Sequence, residues 1–401
     1  MSLNYPRYPI AITRGEGCRL YDTEDREYID LFAGFGASVL GHCHPDLLQA
    51  VHEQSTQLWH VGNLLHTEPQ TRAAEAIARY GFGGRSFFSH SGADANEAAI
   101  KLARLYGRQY PGPRGPRHKV ISMSGSFHGR SFGTMPATGE PKVREGFEPL
   151  PAGFVNVPYD DADAVEDAID DEVVAVLVEP IQGEGGIRVP GPSYLPDLRK
   201  LCDRRDLLLI CDEVWTGAGR TGRFFGYQHW DIEPDMMTLG KGVGGGLPVG
   251  VMSARDNVAA LYDARQQGGV KHATTLGGNC LAMAAAATVF EVIDRDRLLS
   301  HAVRLGDHAV HRLQQLADRI PAIKEIRGKA LFIGVDLDIR SGDTWFDQVG
   351  DVVGKCLERG VMVNGTQQSV LRLAPPLVID EELLDAGLDV IEDVIAGVTG
   401  R

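Results

Sequence analysis

The sequence has few cysteines, no long apolar run and a deficit of basic side chains, and each shortage excludes a class of protein. Its six cysteines form no Cys-X-X-Cys pair, which argues against a disulfide scaffold or a zinc ribbon. No stretch approaches the ~18 uninterrupted apolar residues of a membrane span, and the N-terminus lacks the apolar segment of a signal peptide. We therefore expect a cytoplasmic protein with no membrane partner.

The charge balance argues against polyanionic partners. The chain carries 40 basic and 54 acidic side chains, a formal net charge of −14. A nucleic acid or an anionic membrane is bound by a basic face, so we expect neither partner. The hydrophobic content of 43% is sufficient for large buried cores, and 401 residues predict two or three domains at ~150 residues each.

Short apolar, β-branched runs alternate with helical patterns over the first two thirds of the chain. This alternation predicts a three-layer α/β domain with a mostly parallel sheet. The predicted buried strands are Val120–Met123, Val173–Val178 and Leu207–Cys211, and the predicted helices are Thr71–Tyr80, Glu97–Tyr106 and Tyr194–Arg204.

The pattern changes near residue 290, which predicts a smaller α+β domain over residues 291–401. Residues 46–290 then form the large domain. Residues 1–45 are too few to fold alone, so we expect them to pack on the small domain or on a partner chain. The elements expected outside the large domain are strands at Cys18–Asp22, Tyr28–Leu31, Leu331–Leu337 and Leu371–Leu373, and helices at Asp294–Arg319 and Thr344–Arg359.

Lys241, one of only nine lysines, lies among glycines in Gly240-Lys-Gly-Val-Gly-Gly-Gly246. Small neighbours would let a bulky planar group approach its ε-amine, and burial would lower its pKa toward the free base that attacks carbonyls. A lone lysine among glycines is more often an ordinary loop residue. The catalytic interpretation therefore needs support from elsewhere in the chain.

Asp212 supplies that support, because it ends the apolar run that begins at Leu207. Ligands of open α/β sheets bind at the carboxyl ends of strands, and a carboxylate there would suit a pyridinium nitrogen that must stay protonated. Taken alone, an aspartate at this point is as often a helix cap or a turn former. A candidate lysine at the end of the next strand favours the functional interpretation.

A phosphate site is the third candidate feature. Phe87-Phe-Ser-His-Ser-Gly-Ala-Asp94 is a predicted strand followed by small residues that open a helix. Unpaired amides at Gly92 and Ala93, with the helix dipole behind them, would bind a phosphate, although such residues mostly serve as helix caps.

Three other motifs do not support a function. Gly217–Gly222 and Gly240–Gly245 both match Gly-X-Gly-X-X-Gly, but acidic residues precede the first and no amphipathic helix follows it. No Gly-X4-Gly-Lys-Ser/Thr sequence surrounds Lys241. His42-Cys-His44 has no further ligand residues nearby, so we expect no metal site.

Taken together, the motifs resemble those of the class-III aminotransferases, which are pyridoxal-phosphate enzymes of fold type I. The resemblance runs from about Gly15 to the C-terminus, and Asn63–Pro69 and Ile326–Gly334 resemble the acetylornithine/ornithine branch in particular. The motifs that carry it, in chain order, are Gly41–Pro45, Ser91–Glu97, Phe127–Arg130, Val178–Gly186, Asp212–Val214, Thr216–Gly222, Gly240–Gly246, Thr275–Asn279 and Leu371–Pro376.

The resemblance implies a role for each matching residue around pyridoxal 5'-phosphate. Lys241 binds the cofactor covalently and later moves a proton at the substrate carbon, while Asp212 pairs with the pyridine nitrogen. Thr275 comes from the second subunit, so the resemblance implies a homodimer. The implied cofactor-binding residues are Gly92, Ala93, Phe127, His128, Glu179, Asp212, Val214, Lys241 and Thr275.

The resemblance also implies a transaminase that moves an ω-amino group to 2-oxoglutarate, with N-acetylornithine as the first donor to test. Arg372 would bind the α-carboxylate, Glu184 would neutralise that arginine when an ω-amine enters, and Arg130 would meet a distal carboxylate. Other ω-amino acids, lysine derivatives, diamines, an aminomutase and a decarboxylating transaminase remain alternatives, and a non-catalytic binding protein is disfavoured.

Some positions depart from the family pattern, and they cluster around the implied pocket. Trp215 stands where a glutamine is common, and Ala93 stands where a threonine is common. Phe35, an implied substrate-binding residue, stands where ornithine aminotransferases carry a tyrosine. The departures leave the amino donor open.

Overall fold

The computed structural model describes residues 2–338 and 349–398, and strands of three sheets provide its framework. The strands are β1 Ile12–Glu16, β2 Arg19–Asp22, β3 Glu27–Asp30, β4 Arg85–Ser89, β5 Lys119–Met123, β6 Phe154–Val157, β7 Val173–Val178, β8 Leu208–Asp212, β9 Met236–Leu239, β10 Gly250–Ala254, β11 Ile323–Lys329, β12 Phe332–Leu337, β13 Val361–Met362, β14 Asn364–Thr366 and β15 Val370–Leu373.

Helices connect and cover these strands. They are α1 Ala33–Gly36, α2 Pro45–Ser55, α3 Glu68–Tyr80, α4 Gly92–Gln109, α5 Pro141–Arg144, α6 Ala162–Asp167, α7 Tyr194–Arg205, α8 Asp256–Ala259, α9 Cys280–Arg295, α10 Leu298–Ala317, α11 Val349–Glu358 and α12 Glu381–Val398. Short 3₁₀ turns lie at Met135–Ala137, Gly226–Trp230, Lys241–Gly244 and Ala260–Tyr262.

The central sheet has seven strands in the order β4-β10-β9-β8-β7-β5-β6. The strands from β9 to β6 pair in parallel, whereas β10 runs antiparallel to both of its neighbours. All strands except β10 therefore end at the same edge of the sheet. The segments that follow β4, β5, β7, β8 and β9 meet at that edge.

Side chains that alternate along the central strands fill two cores, one on each face of the sheet. Leu208 and Ile210 of β8 pack in the core that contains Leu102 of α4. Leu209 and Cys211 face the other way, into the core that contains residues of α7 and α9. This period-two alternation, buried on both faces, is typical of parallel sheets. The predicted three-layer α/β class with a mostly parallel sheet is confirmed.

The predicted strands and helices of this region are also confirmed, with small changes at their ends. Helix α4 begins five residues earlier than the predicted Glu97, because Ser91 caps it by accepting a hydrogen bond from the Asp94 N–H. Strand β8 includes Asp212 as its last residue, so this carboxylate lies at the edge where the strands end.

Two smaller sheets lie outside the central one. Strands β11-β12-β15-β14 form an antiparallel sheet, and α10 and α11 pack against it. Strands β1-β2-β3 continue into β13 through a parallel pair between β3 and β13, which connects the N-terminal segment to the C-terminal part of the chain. The domain boundaries at residues 45 and 290 stay a prediction.

The prediction of one helix over Asp294–Arg319 is wrong. Helix α9 ends at Arg295, and α10 begins at Leu298 after Arg297 adopts a left-handed conformation with φ of 54°. Helix α9 packs on α2 and α3, whereas α10 packs on β11 and α12, so the chain must turn between them. The predicted helix Thr344–Arg359 is observed over Val349–Glu358, and its first residues lie outside the described ones.

Across residues 2–338 and 349–398, no helix is both long enough and apolar enough to cross a membrane.

Helix α4 lies so close to the chain leading into β5 that its residue 107 must be glycine. A Cβ atom at Gly107 would lie 2.1 Å from the carbonyl oxygen of Arg117. We expect Gly107→Ala to lower the free energy of unfolding by about 3 kcal/mol, since backbone must shift to admit the methyl group. Denaturant unfolding measures the loss.

Gly354 is the matched control for this prediction, because it also lies inside a helix but a Cβ atom there would meet nothing within 4 Å. Gly354→Ala should raise the free energy of unfolding by up to about 1 kcal/mol, the helix preference of alanine over glycine. Equal effects of the two substitutions would contradict the packing explanation.

Candidate active site

A cavity of about 430 Å³ opens at the edge where the parallel strands end. Most residues predicted for the site line it, namely Gly92, Ala93, Phe127, His128, Arg130, Asp212, Val214 and Lys241. Sequence reasoning did not select the other lining residues, which are Ala37, His90, Ser91, Asn96, Gly129, Gly246, Leu247, Pro248 and Val249. A larger cavity of about 640 Å³ lies between α2, α3 and α9, but no predicted site residue lines it.

Lys241 enters the cavity from the turn that follows β9. Its backbone is left-handed, with φ of 47°, and Gly240 before it is extended. A Cβ atom at Gly240 would lie 3.1 Å from the Gly92 nitrogen, so a glycine here lets the lysine segment approach the start of α4. The two candidate features of the sequence, the lysine and the helix start, are therefore neighbours.

Burial lowers the pKa of the Lys241 amine to about 8, from a usual value of 10.5. The negative charge of Glu184 opposes this effect and the positive charge of Arg372 adds to it. The amine also lies 3.9 Å from the centre of the Trp215 ring. Lys241 thus provides more of the nucleophilic free base at neutral pH than an exposed lysine would.

The pH dependence of this amine can be measured in the apoprotein. The resemblance implies that this amine binds pyridoxal phosphate covalently. We expect the rate of that uptake by the apoprotein to rise with pH and reach half its maximum near pH 8, because the free amine forms above its pKa. Stopped-flow absorbance measures the rate. Glu184→Gln removes a charge that raises this pKa, so it should move the midpoint to lower pH. An unchanged midpoint would contradict this electrostatic account.

Asp212 is fixed by three hydrogen bonds at the floor of the cavity and is 3% exposed. Its Oδ2 lies 2.7 Å from the His128 Nδ1 and accepts a hydrogen bond of 2.7 Å from the Asn96 Nδ2. Its Oδ1 accepts a hydrogen bond from the Val214 N–H. These contacts fix the orientation of the carboxylate. None of the three partners is a lysine or an arginine.

Asn96, one of the lining residues that sequence reasoning missed, is hydrogen-bonded to Asp212. Besides Asp212, its amide group contacts the His128 carbonyl at 2.9 Å and the Thr238 hydroxyl at 2.6 Å. It lies one helical turn after Gly92 on α4, so it shares a face with the start of the helix. That spacing was the available signal, but its partner Asp212 is 116 residues away in the chain.

The start of α4 has the properties of an anion site. Gly92 and Ala93 are the first two residues of an 18-residue helix, so their N–H groups have no acceptor within the helix. A Cβ atom at Gly92 would lie 2.6 Å from Val214, so only glycine leaves the approach open. The helix dipole adds partial positive charge at the same point.

Phe127 and Val214 supply the apolar walls. Glu179, predicted as a cofactor-binding residue, does not line the cavity; its carboxylate accepts hydrogen bonds of 2.9 Å from the N–H groups of Phe127 and Gly183. Burial raises the pKa of Glu179, and the nearby charge of Asp212 adds to the increase, whereas His128 opposes it. Glu179 therefore positions the main chain that carries Phe127.

Arg372 and Glu184 form an ion pair beside the cavity. The Arg372 side chain is fully buried, and its Nη1 lies 3.0 Å from the Glu184 Oε1. Its Nη2 donates to Asn364 at 2.6 Å, while its Nε is buried without a partner in the described residues. Burial would raise the pKa of Glu184, but the Arg372 and Lys241 charges hold it below its usual value.

The remaining predicted residues lie at the margin of the site. Arg130 is exposed and lines the cavity, with its guanidinium 5.6 Å from the centre of the Phe127 ring. Phe35 is half exposed, and the centre of its ring lies 6.0 Å from the Arg372 guanidinium. Thr275 is exposed and does not line the cavity of its own chain.

The two histidines of the His42-Cys-His44 motif have separate partners. The His42 ring lies 2.7 Å from the buried Asp30 carboxylate, and the His44 ring accepts a hydrogen bond from the Asp46 N–H at the start of α2. Both rings therefore have a structural role.

These residues fit pyridoxal phosphate. A single cavity presents an amine at Lys241, a fixed carboxylate at Asp212, an anion site at the start of α4 and apolar walls from Phe127 and Val214. The His128 Nε2 is buried and has no partner within the described part of the chain, so a polar group of a ligand would satisfy it.

Comparison with known sequences gives a consistent result. Residues 1–395 match the family model described as aminotransferase class-III. The acetylornithine aminotransferase of Caldanaerobacter subterraneus is 43% identical over 394 residues, which cover 98% of this chain and 96% of that protein. The acetylornithine aminotransferase of Methanocaldococcus jannaschii is 39% identical, over 98% of this chain and 95% of that protein.

Solved structures are similar over nearly the whole chain. An ornithine aminotransferase of Toxoplasma gondii, with pyridoxal phosphate at partial occupancy in its active site, superposes with a TM-score of 0.91 at 32% identity, covering 99% of this chain and 92% of that chain. The N-acetylornithine aminotransferase of Stenotrophomonas maltophilia has a TM-score of 0.82 at 32% identity, covering 98% of this chain and 97% of that chain.

Proposed function

The chain belongs to the class-III aminotransferases, and we propose that it moves the ω-amino group of N-acetylornithine to 2-oxoglutarate, giving an aldehyde and glutamate. Its cofactor is pyridoxal 5'-phosphate and its fold is that of the fold type I enzymes. The observation that carries the proposal is one cavity that joins Lys241, Asp212 and the start of α4, beside the Arg372–Glu184 pair. The names of the relatives favour N-acetylornithine over the other donors.

The cofactor, when bound, supplies an aldehyde carbon that condenses with amines and a protonated ring that accepts the electron pair released at the substrate carbon. Gly92 and Ala93 would bind its phosphate, and Phe127 and Val214 would contact the two faces of its ring. Asp212 would keep the ring nitrogen protonated, because its carboxylate is held at the floor of the cavity by His128, Asn96 and the Val214 N–H.

Lys241 has two tasks in this scheme, which are to bind the cofactor and then to move a proton at its Nζ. A general base works best when its pKa lies near the working pH, and burial brings the Lys241 pKa to about 8. The neutral amine would accept the proton of the substrate carbon, and the resulting ammonium would deliver that proton to the reactive carbon of the cofactor, so that the amino group leaves the substrate.

Arg372 and Glu184 would let one site accept two kinds of substrate. With Glu184 on Arg372, the arginine is neutralised, which suits an ω-amine that enters without a carboxylate at this position. With Glu184 turned away, Arg372 offers its guanidinium to the α-carboxylate of 2-oxoglutarate in a bidentate contact. Arg130, exposed at the cavity, would contact the distal carboxylate.

The donor is tested by measuring glutamate formed from 2-oxoglutarate with a panel of amines. We expect N-acetylornithine to give the highest kcat/KM, above ornithine, GABA-like acids, lysine derivatives and diamines. An aminomutase would turn over without 2-oxoglutarate, so dependence on that acceptor separates the two reactions. Absence of glutamate with every donor, in protein that has bound the cofactor, would overturn the proposal.

A homodimer is part of the proposal. Trp59, Leu64, Leu65 and Leu276 form an exposed apolar group, here named the Trp59–Leu276 patch, with exposed fractions of 63%, 96%, 59% and 51%. The two segments that form it are joined, since Asn63 donates hydrogen bonds to the carbonyls of Thr274 and Gly277. Thr275 lies within this surface, so covering the patch with a second copy would bring Thr275 toward that copy.

Disrupting the patch should therefore separate the subunits and reduce activity together. We expect Leu65→Asp to give monomers by light scattering and to lower kcat/KM at least about tenfold, because a charge would be buried and the site would lose Thr275 of the other copy. Phe147→Asp is the control, since Phe147 is similarly exposed at 51% but lies on another segment. A dimeric, fully active Leu65→Asp variant would contradict this surface.

A cytoplasmic location completes the proposal. The six cysteines are free, and five of them are buried, which supports a reducing environment.

A further inference from the structure

Trp215 lies next to both Lys241 and Arg372, two residues to which the proposed function gives a role with substrate. Its ring, 6% exposed, is 3.9 Å from the Lys241 amine and 4.5 Å from the Arg372 guanidinium, measured to the ring centre. Phe332 stacks on it at 5.2 Å with an interplanar angle of 20°. The ring therefore has little freedom to move.

Two glycines provide the space that this large side chain needs. A Cβ atom at Gly183 would lie 2.3 Å from the Trp215 ring, and one at Gly36 would lie 2.6 Å from it. Gly36 also has a left-handed backbone, with φ of 75°, and Gly183 comes directly before Glu184 in the chain. A side chain at either glycine would collide with the indole. The position of the indole is thus defined by its surroundings.

The indole N–H of Trp215 donates to the Glu184 Oε1 at 3.1 Å. Arg372 donates to the same oxygen at 3.0 Å. Glu184 is the most exposed of the three, with 29% of its side chain accessible, and its main-chain carbonyl is anchored by Thr366. The carboxylate is therefore the part of this group that is able to turn, and the indole stabilises only one of its positions.

We propose that Trp215 is a positioning residue that holds Glu184 against Arg372 and thereby favours ω-amine donors over dicarboxylates in the resting enzyme. The inference rests on the proposed function, in which 2-oxoglutarate must displace Glu184 from Arg372. When Glu184 is displaced, its carboxylate loses the hydrogen bond from Arg372 and also the hydrogen bond from the Trp215 indole. The free energy of the second hydrogen bond is the contribution of Trp215 against dicarboxylate binding.

Glutarate is a dicarboxylate that lacks the keto group of 2-oxoglutarate and therefore does not react. Its binding measures this contribution directly. By calorimetry with the holoenzyme, we expect Trp215→Phe to bind glutarate about tenfold more tightly than the wild type, the effect of removing one hydrogen bond to a charged group. Phenylalanine keeps a ring beside Lys241 and Arg372. Trp230→Phe is the matched control, because its indole N–H donates to the Gly191 carbonyl and not to Glu184.

A second variant tests whether Trp215 acts through Glu184. Glu184→Gln should also tighten glutarate binding, and adding Trp215→Phe to it should give no further gain, since the charged acceptor is already absent. Fully additive effects, or weaker binding by Trp215→Phe, would overturn the inference. Thermal melting checks folding, and Trp215→Leu, which also lacks the N–H, replaces the phenylalanine variant if that one is unfolded.

Kinetics separate a positioning role from general damage. For Trp215→Phe, the ratio of kcat/KM for glutamate to kcat/KM for the ω-amine donor should rise about tenfold, whereas a disturbed structure would lower both values. The glutarate measurement needs no turnover. If no donor supports glutamate formation but Trp215→Phe still binds glutarate more tightly, the proposed function fails and the role of Trp215 stands.

Discussion

Lys241→Ala should reduce transamination by about 10⁴-fold and leave the fold intact, because the substitution removes both the covalent link to the cofactor and the base that moves the proton. Lys241 lines the cavity and is partly buried there, and desolvation lowers the pKa of its amine to about 8. No other lysine lines the described cavity, so no second amine is placed to replace it.

Turnover and covalent attachment should fail together. After borohydride reduction, mass spectrometry should find the added cofactor mass in the wild type and not in Lys241→Ala. Lys142→Ala is the control, since Lys142 is an exposed lysine of α5, and it should keep both attachment and turnover. Attachment at full occupancy in Lys241→Ala would show that another lysine carries the reaction.

Asp212→Asn should reduce kcat by about 10²–10³-fold, the usual loss when a fixed charge is removed from a reacting group. Asp212 is buried with donors around both oxygens, so the amide would also place an N–H group toward one of them. We expect the cofactor to bind more weakly and its absorption to change, since the ring nitrogen would lose the carboxylate that keeps it protonated. Steady-state kinetics and cofactor titration measure both effects.

Glu213→Gln is the control for this charge, because Glu213 is the adjacent carboxylate but does not line the cavity. Burial raises its pKa to about 7, and its oxygens accept hydrogen bonds from the N–H groups of Gly226 and Tyr227. The control variant should lose stability but keep kcat within about tenfold. Equal losses of kcat would mean that Asp212 acts through packing.

The chain order of the motifs predicted much of this site, because parallel strands end at one edge. Asp212 is the last residue of β8, Lys241 follows β9, and α4 begins just after β4, so three distant segments meet. Residues at strand ends can be assigned from apolar runs and their polar neighbours alone. The predicted roles of the site residues nevertheless stay predictions until the variants are measured.

Local patterns also predicted the central strands and helices closely, since burial on both faces produces continuous apolar runs. They failed at the junction of α9 and α10. No glycine or proline marks the turn at Asp296 and Arg297. Arg297 adopts a left-handed conformation that the neighbouring sequence does not predict. The turn is required by where the two helices pack, and a local window does not contain that information.

By itself, the sequence determined the fold class and the candidate residues Lys241 and Asp212, because strand ends and small-residue turns are local properties of the chain. The family followed from the resemblance of its ordered motifs to those of known enzymes. Tertiary structure decided which side chains act on them. Asn96 bonds Asp212 across 116 residues, and Trp215 and Arg372, 157 positions apart (372 − 215), bond the same oxygen of Glu184. Such contacts form only when segments far apart in the chain pack together, at places where glycines leave the space. A local sequence pattern does not contain that information.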